Sequence, residues 1–369
     1  MKSLTVGQMC ALIAIGIISN KLLLLPSILY GEAGQDAIFA VAIKFAIAVI
    51  IICLLMWVLM KNPDKNLREL ISSVIGDVGY RILAILIFIL YLFKNFSLFM
   101  ESELFLGSTM YDEYSKLLFF LPTIFVAGYI AYKGLQTLGR TCEALFGVIF
   151  VGLFITFLFS IANLDISNIL PLGTRPFGDI INALNTSFTW FGNYFVILFC
   201  LGDVKVTKHL FRKVMITSSL AIFLVVMFFV IYYASFEFTA GLHKFAISDI
   251  TQFSPQIASF TKVDWFTVII WMITIVLQCA VQVYIMQRVF VEATGIKKTQ
   301  IFSYVFLAVF SLLYILNPFN NSKYVDFVCT YLSPYDFIIG IFIIGLTVVA
   351  SIRFSKKGGG KNDKTTNEK

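Results

Sequence analysis

Ten apolar runs, each about twenty residues long, follow one another along the chain with turn or charge signals between them. They cover roughly 5–30, 37–60, 79–108, 117–136, 141–162, 180–203, 213–235, 264–288, 299–316 and 334–353. A helix of that length matches the ~30 Å hydrocarbon layer of a bilayer. Within that layer every backbone N–H and C=O must be bonded inside the protein, so such runs fold as helices. The chain reads as an all-α polytopic membrane protein. Composition agrees, with 59% of residues hydrophobic and 13% charged, against about 25% charged in a soluble domain. The 39 phenylalanines suit a lipid-facing surface. The first run is not read as a cleavable signal peptide, because it lacks an A-x-A-like site and holds a polar break and a proline.

The net charge of +7 reflects orientation rather than nucleic-acid binding. Loops after even-numbered spans carry thirteen lysines and arginines, including Lys61, Arg68, Arg140, Lys208, Arg212 and Lys297. Loops after odd-numbered spans carry five: Lys116, Arg175, Lys244, Lys262 and Lys323. Both termini are therefore expected in the cytoplasm. The expected organisation is one transmembrane domain, 1–355, with a disordered cytoplasmic tail at 356–369. The longest outer connection, 236–263, is apolar enough to suggest a helix lying on the outer surface, as a lid or a packing segment. The six cysteines lack metal-ligand or redox spacing, and the two histidines lie in loops. No H-E-x-x-H, P-loop or Rossmann fingerprint occurs. Neither an enzyme nor a cofactor or metal site is expected.

Ionisable residues inside spans are costly, about 2.5–3.5 kcal/mol each on insertion scales, and face cavities or partners. Five stand here: Lys21, Lys44, Lys94, Glu101 and Glu103. Lys44, Glu101 and Glu103 have the alternative of snorkelling to the outer interface, whereas Lys21 and Lys94 are too central. Lys94 and Glu101 share a helix face two turns apart, ~10 Å along the axis. The sequence suggests that Lys94 is neutralised by Glu101 or Glu103, with Lys44 a further partner, as either a structural ion pair or a relay. In the eighth span Thr267, Trp271, Thr274, Gln278 and Gln282 line one helical face, as interhelical glue or as the wall of a path.

Two spans carry polar interruptions at mid-depth. The first reads "SNKLLLLP", with Ser19, Asn20 and Lys21 followed by four leucines and Pro26. The sixth reads "TWFGNYF", with Phe191, Gly192 and Asn193 in its middle. They lie five spans apart. Interruptions at corresponding positions of two halves are the best sequence pointer to a transporter binding site. This predicts two five-span repeats, about 1–162 and 179–353, of inverted topology, with broken first and sixth helices. Freed amides and the restarted half-helix, in whose first turns Pro26 costs little, would face an anionic group, with Lys21 beside them. The candidate ligand-binding residues are Ser19, Asn20, Lys21, Phe191, Gly192, Asn193, Thr274 and Gln278.

These stretches resemble a known family. "LLLLP" followed by "GEAGQDA", "TSFTWFGNYFVILFCLGDVKVTKHLFRK" and "TKVDWFTVIIWMITIVLQCAVQVY" are similar to the spore-germination permeases. Those are the B subunits of GerA-type germinant receptors, within the amino acid–polyamine–organocation superfamily. The resemblance implies a membrane subunit that binds an amino-acid-like nutrient and triggers germination. It also implies A-type and lipoprotein C-type partner subunits, in the inner spore membrane. A free-standing proton-coupled amino acid permease is the alternative. Members of the superfamily commonly carry a G-x-G-like break where this chain has Ser19-Asn20-Lys21, and an acidic residue where it has Asn193.

Overall fold

A computed structural model describes residues 3–19, 21–109, 116–161, 164–186, 188–252, 263–296, 306, 308–314, 316 and 321–362. The described chain is helical, with one isolated bridge between Leu4 and Val204. Six of its helices are long and apolar enough to cross a membrane, and two shorter apolar helices accompany them. Of the ten runs in the sequence, the first and sixth are divided, and much of the ninth lies outside the described residues.

Helix α1, Val6–Ile18, opens on a capping box. The Gln8 N–H donates to Thr5 Oγ1 at 3.3 Å, and the Thr5 N–H donates to Gln8 Oε1 at 3.1 Å. Every residue from Gln8 to Ile18 is buried. A helix apolar on all sides belongs in the interior, and α1 is wrapped by α6 (Leu135–Ser160), α10 (Leu210–Phe236) and α12 (Val263–Thr294). Helix α2, Leu25–Ala33, continues through a single 3₁₀ turn into α3, Ala37–Lys61. On α3 the exposed Ile43, Ile50, Leu54 and Trp57 form the lipid face, and Lys44, Ala48, Ile51 and Leu55 point inward.

Helix α4, Leu67–Thr109, bends at Gly76, whose φ of 76° is open to glycine. The bend separates an interfacial turn from the third span and explains why the apolar run begins near residue 79. Helix α5, Lys116–Tyr132, packs with α6 against α12. After α7, Phe177–Asn185, the sixth span is three short pieces: α8 (Phe188–Phe191), a 3₁₀ turn (Gly192–Phe195) and α9 (Val196–Phe199). The outer connection contains α11, Ala246–Gln252. Of the two alternatives its burial fits the packing segment, since Ala246, Ile247, Ser248, Ile250 and Thr251 are buried. It packs on α2, α6 and α12 because its amides are needed there, as shown below.

A π-helical turn, Val328–Leu332, joins α13 (Asn321–Phe327) to α14 (Ser333–Asn362). Helix α14 is described to Asn362. The remainder of the tail lies outside the described residues.

Candidate functional site

The first interruption begins where α1 stops. Ser19 turns extended (φ −56°, ψ 147°) while its N–H still donates to Ile15 O. From there each carbonyl needs a donor from elsewhere. The Lys21 ammonium folds back and donates to Gly16 O at 3.0 Å, placing a cation at the negative end of α1. Leu22 O and Leu23 O accept from Ile247 N–H and Ala246 N–H, at 3.1 and 2.9 Å. Those amides are the first two of α11, which a helix start leaves without partners of its own. Pro26 O accepts from the Tyr233 hydroxyl at 2.9 Å. Pro26 stands in the first turn of α2, where a missing N–H is harmless. Asn20 lies outside the described residues.

Within α11, the Asp249 carboxylate accepts from Phe245 N–H at 3.2 Å and faces His243 at 3.7 Å. Burial pushes this carboxyl above its ordinary range, against the lowering effects of that N–H and of His243.

The second interruption meets the first directly. A Cβ on Gly16 would lie 3.3 Å from Asn193 O and 3.5 Å from Asn193 Cβ. A side chain there would be tight against the Asn193 backbone, so the glycine lets the two spans pack closely. A Cβ on Gly192 would lie 3.2 Å from Asp336 Oδ2 and 3.3 Å from Lys94 Nζ. The Lys94–Asp336 ion pair, 3.0 Å long and buried on both sides, therefore rests against the bare backbone of the 3₁₀ turn.

Phe191 lies beneath two ammonium groups, Lys21 at 5.5 Å and Lys44 at 5.0 Å from its ring centre. Such contacts are worth about 2 kcal/mol when desolvated. Lys44 also donates to Ala183 O and Thr186 O, at 2.7 and 2.6 Å, closing the C-terminal end of α7. The Asn193 amide nitrogen is buried without a hydrogen-bond partner among the described residues.

The polar stripe of α12 is buried throughout. The Ser19 hydroxyl donates to Gln278 Oε1 at 3.0 Å, joining the stripe to the first interruption. Thr274 instead donates to the Trp271 carbonyl of its own helix at 2.6 Å, so no hydrogen bond links it to Ser19 or Lys21.

The carboxylate facing Lys94 differs from the expected one. It is Asp336 of α14, not Glu101 or Glu103 of the same helix. Two helical turns keep Glu101 out of direct reach. Glu103 instead accepts from the Tyr314 hydroxyl. Glu101 is fully buried and, with Lys44, within electrostatic reach of Cys329. Neither glutamate nor Lys44 snorkels. Asp336 escaped the sequence reading because "SPYDF" looks like the acidic first turn of a helix at the interface. In the fold, Asp336 is buried in the first turn of α14, against α4.

A family model described as "Spore germination protein", the spore permeases, matches residues 3–322. The chain belongs to the spore-germination permease family. By structure this family member is similar to MhsT, solved in complex with L-phenylalanine. The TM-score is 0.65 at 13% identity, covering 95% of this chain and 96% of that one. At that identity the likeness is one of fold alone. A comparison with curated proteins returns no match. The family is one of permeases, and the apolar helices agree with an integral membrane protein.

Proposed function

We propose that this permease is the membrane subunit of a nutrient germinant receptor, in which an amino-acid-like ligand binds where the two interrupted spans meet. The observation that carries the reading is the cluster around Gly16. Lys21 has three N–H donors, and among the described residues one is used, on Gly16 O. Asn193 presents an amide donor without a partner beside the same glycine. A ligand carboxylate accepts from both, and its apolar part meets Phe191. Gln278, held by Ser19, presents the α12 side of the site.

The architecture proposed with this reading is a 5+5 inverted repeat, about 1–162 and 179–353, with both termini cytoplasmic in the inner spore membrane. The ordering of the breaks and the lysine and arginine asymmetry of the loops support it. The partners are the bilayer and the A-type and lipoprotein C-type receptor subunits that family membership suggests. A proton-coupled amino acid permease is the second reading, favoured by the likeness to a transporter solved with an amino acid bound.

Two assays decide between them. Spores lacking this gene, tested across single amino acids, lose the response to one nutrient class if the chain is a sensor. Proteoliposomes holding the chain alone accumulate a labelled amino acid against its gradient if it is a permease. Unchanged germination together with no uptake would contradict both.

A further inference from the structure

Broken-helix transporters hold coupling cations at the C-terminal ends of half-helices, where unwound carbonyls point at the ion. This chain has two such ends beside its interruptions, and a lysine fills each. At the end of α1, Gly16 O accepts from Lys21 Nζ at 3.0 Å. At the end of α7, Ala183 O and Thr186 O accept from Lys44 Nζ at 2.7 and 2.6 Å. An ammonium is a compact monovalent cation with three donors, and carbonyls that hold it have no room for a metal ion. Both lysines are buried, and both lie over the ring of Phe191, between the two ends. The residues present therefore do not fit a sodium or potassium ion at either end. Among the described residues no group of three or more His, Cys, Asp or Glu side chains forms a metal site elsewhere.

We propose that Lys21 and Lys44 are built-in replacements for coupling metal cations, so that the interrupted spans hold their binding-ready shape without sodium or potassium. The inference rests on reading the interruptions as the ligand site. Its test uses no ligand, so it fails or succeeds apart from the germination and uptake assays. Purified full-length protein in detergent is melted in sodium, potassium and choline chloride at equal ionic strength. The expected Tm is the same in all three. A saturable rise in sodium or potassium over choline, of the several degrees that a filled site produces, would overturn the proposal.

The second arm uses Lys21→Ala, which opens the space of the ammonium. It is expected to melt lower than the parent and to regain Tm in propylammonium chloride, which leaves the parent unmoved. A Lys21→Ala protein that melts like the parent, or one that propylammonium does not restore, also counts against the proposal. If Lys21→Ala cannot be purified, Lys44→Ala with the same salts replaces it, and the comparison of salts on the parent protein stands unaffected.

Discussion

Lys94 and Asp336 form the most consequential residue pair outside the first interruption, because they connect three spans at one point. The pair joins α4 to α14 and leans on the bare Gly192 backbone. Removing one partner of a buried pair leaves an uncompensated charge, at a cost of about 3–5 kcal/mol. Asp336→Asn should therefore lower membrane abundance and Tm. Adding Lys94→Met should restore much of both, because two neutral groups carry no unpaired charge. If the double variant is no better than Asp336→Asn alone, the pair is not the structural unit described here. Gly192→Ala tests the same spot from the other side. Its methyl would crowd both charged groups at 3.2–3.3 Å, so the ligand response should fall at near-normal abundance, measured by dose response and immunoblot.

The residues of the pair show where sequence reading stops. Lys94 stood out as a charge at mid-depth, and its need for a carboxylate was legible. The partner was not, because its identity depends on long-range packing of the last span against the third. Glu101, close in sequence, was the wrong choice for a reason of distance alone.

At the scale of elements, the break in the first span and α11 complete each other. Two carbonyls freed by the break meet two amides freed by a helix start. Ser19-Asn20-Lys21 and Pro26 made the break visible in the sequence. The 3₁₀ turn at Gly192–Phe195 was equally marked by its glycine and asparagine. The cap was invisible, since backbone donors leave no composition signal, and the connection read as an outer surface segment. Ala246→Pro isolates that contact. Proline is tolerated at a first helical position, so helix propensity changes little while Leu23 O loses its donor. An unsatisfied buried carbonyl costs about 1–3 kcal/mol, which a Tm measurement should register. An unchanged Tm would mean that α11 does not support the break.

Across the whole molecule, the start of the first interrupted span and the end of the sixth are tied together. Leu4 N–H donates to Asp203 O at 2.7 Å, and Lys205 N–H donates to Leu4 O at 3.1 Å. Arg288 of α12 clasps this junction, donating to Phe199 O at 2.5 Å, to Asp203 at 2.7 Å and to Glu292 at 3.1 Å. Glu292 in turn accepts from Tyr80 of α4. Arg288→Ala should lower Tm and raise the protease sensitivity of the loops at this end. Arg288→Lys should recover only part, because lysine lacks the planar fork that serves several acceptors. This assembly of ends, like the wrapping of α1 on every side, follows from chain topology and was not readable from local pattern, whereas the membrane class was.

The central claim is that the meeting point of the two interruptions is the ligand site, with Lys21 as its charged donor. The direct measurement is the nutrient dose response of spores carrying Lys21→Met, with abundance checked by immunoblot. Methionine keeps length and apolar bulk while deleting the charge. Loss of one charge-assisted contact of ~1.5–3 kcal/mol predicts a shift of roughly 10–150-fold towards higher nutrient concentration. A Lys21→Met protein of normal abundance with an unshifted dose response would contradict the account.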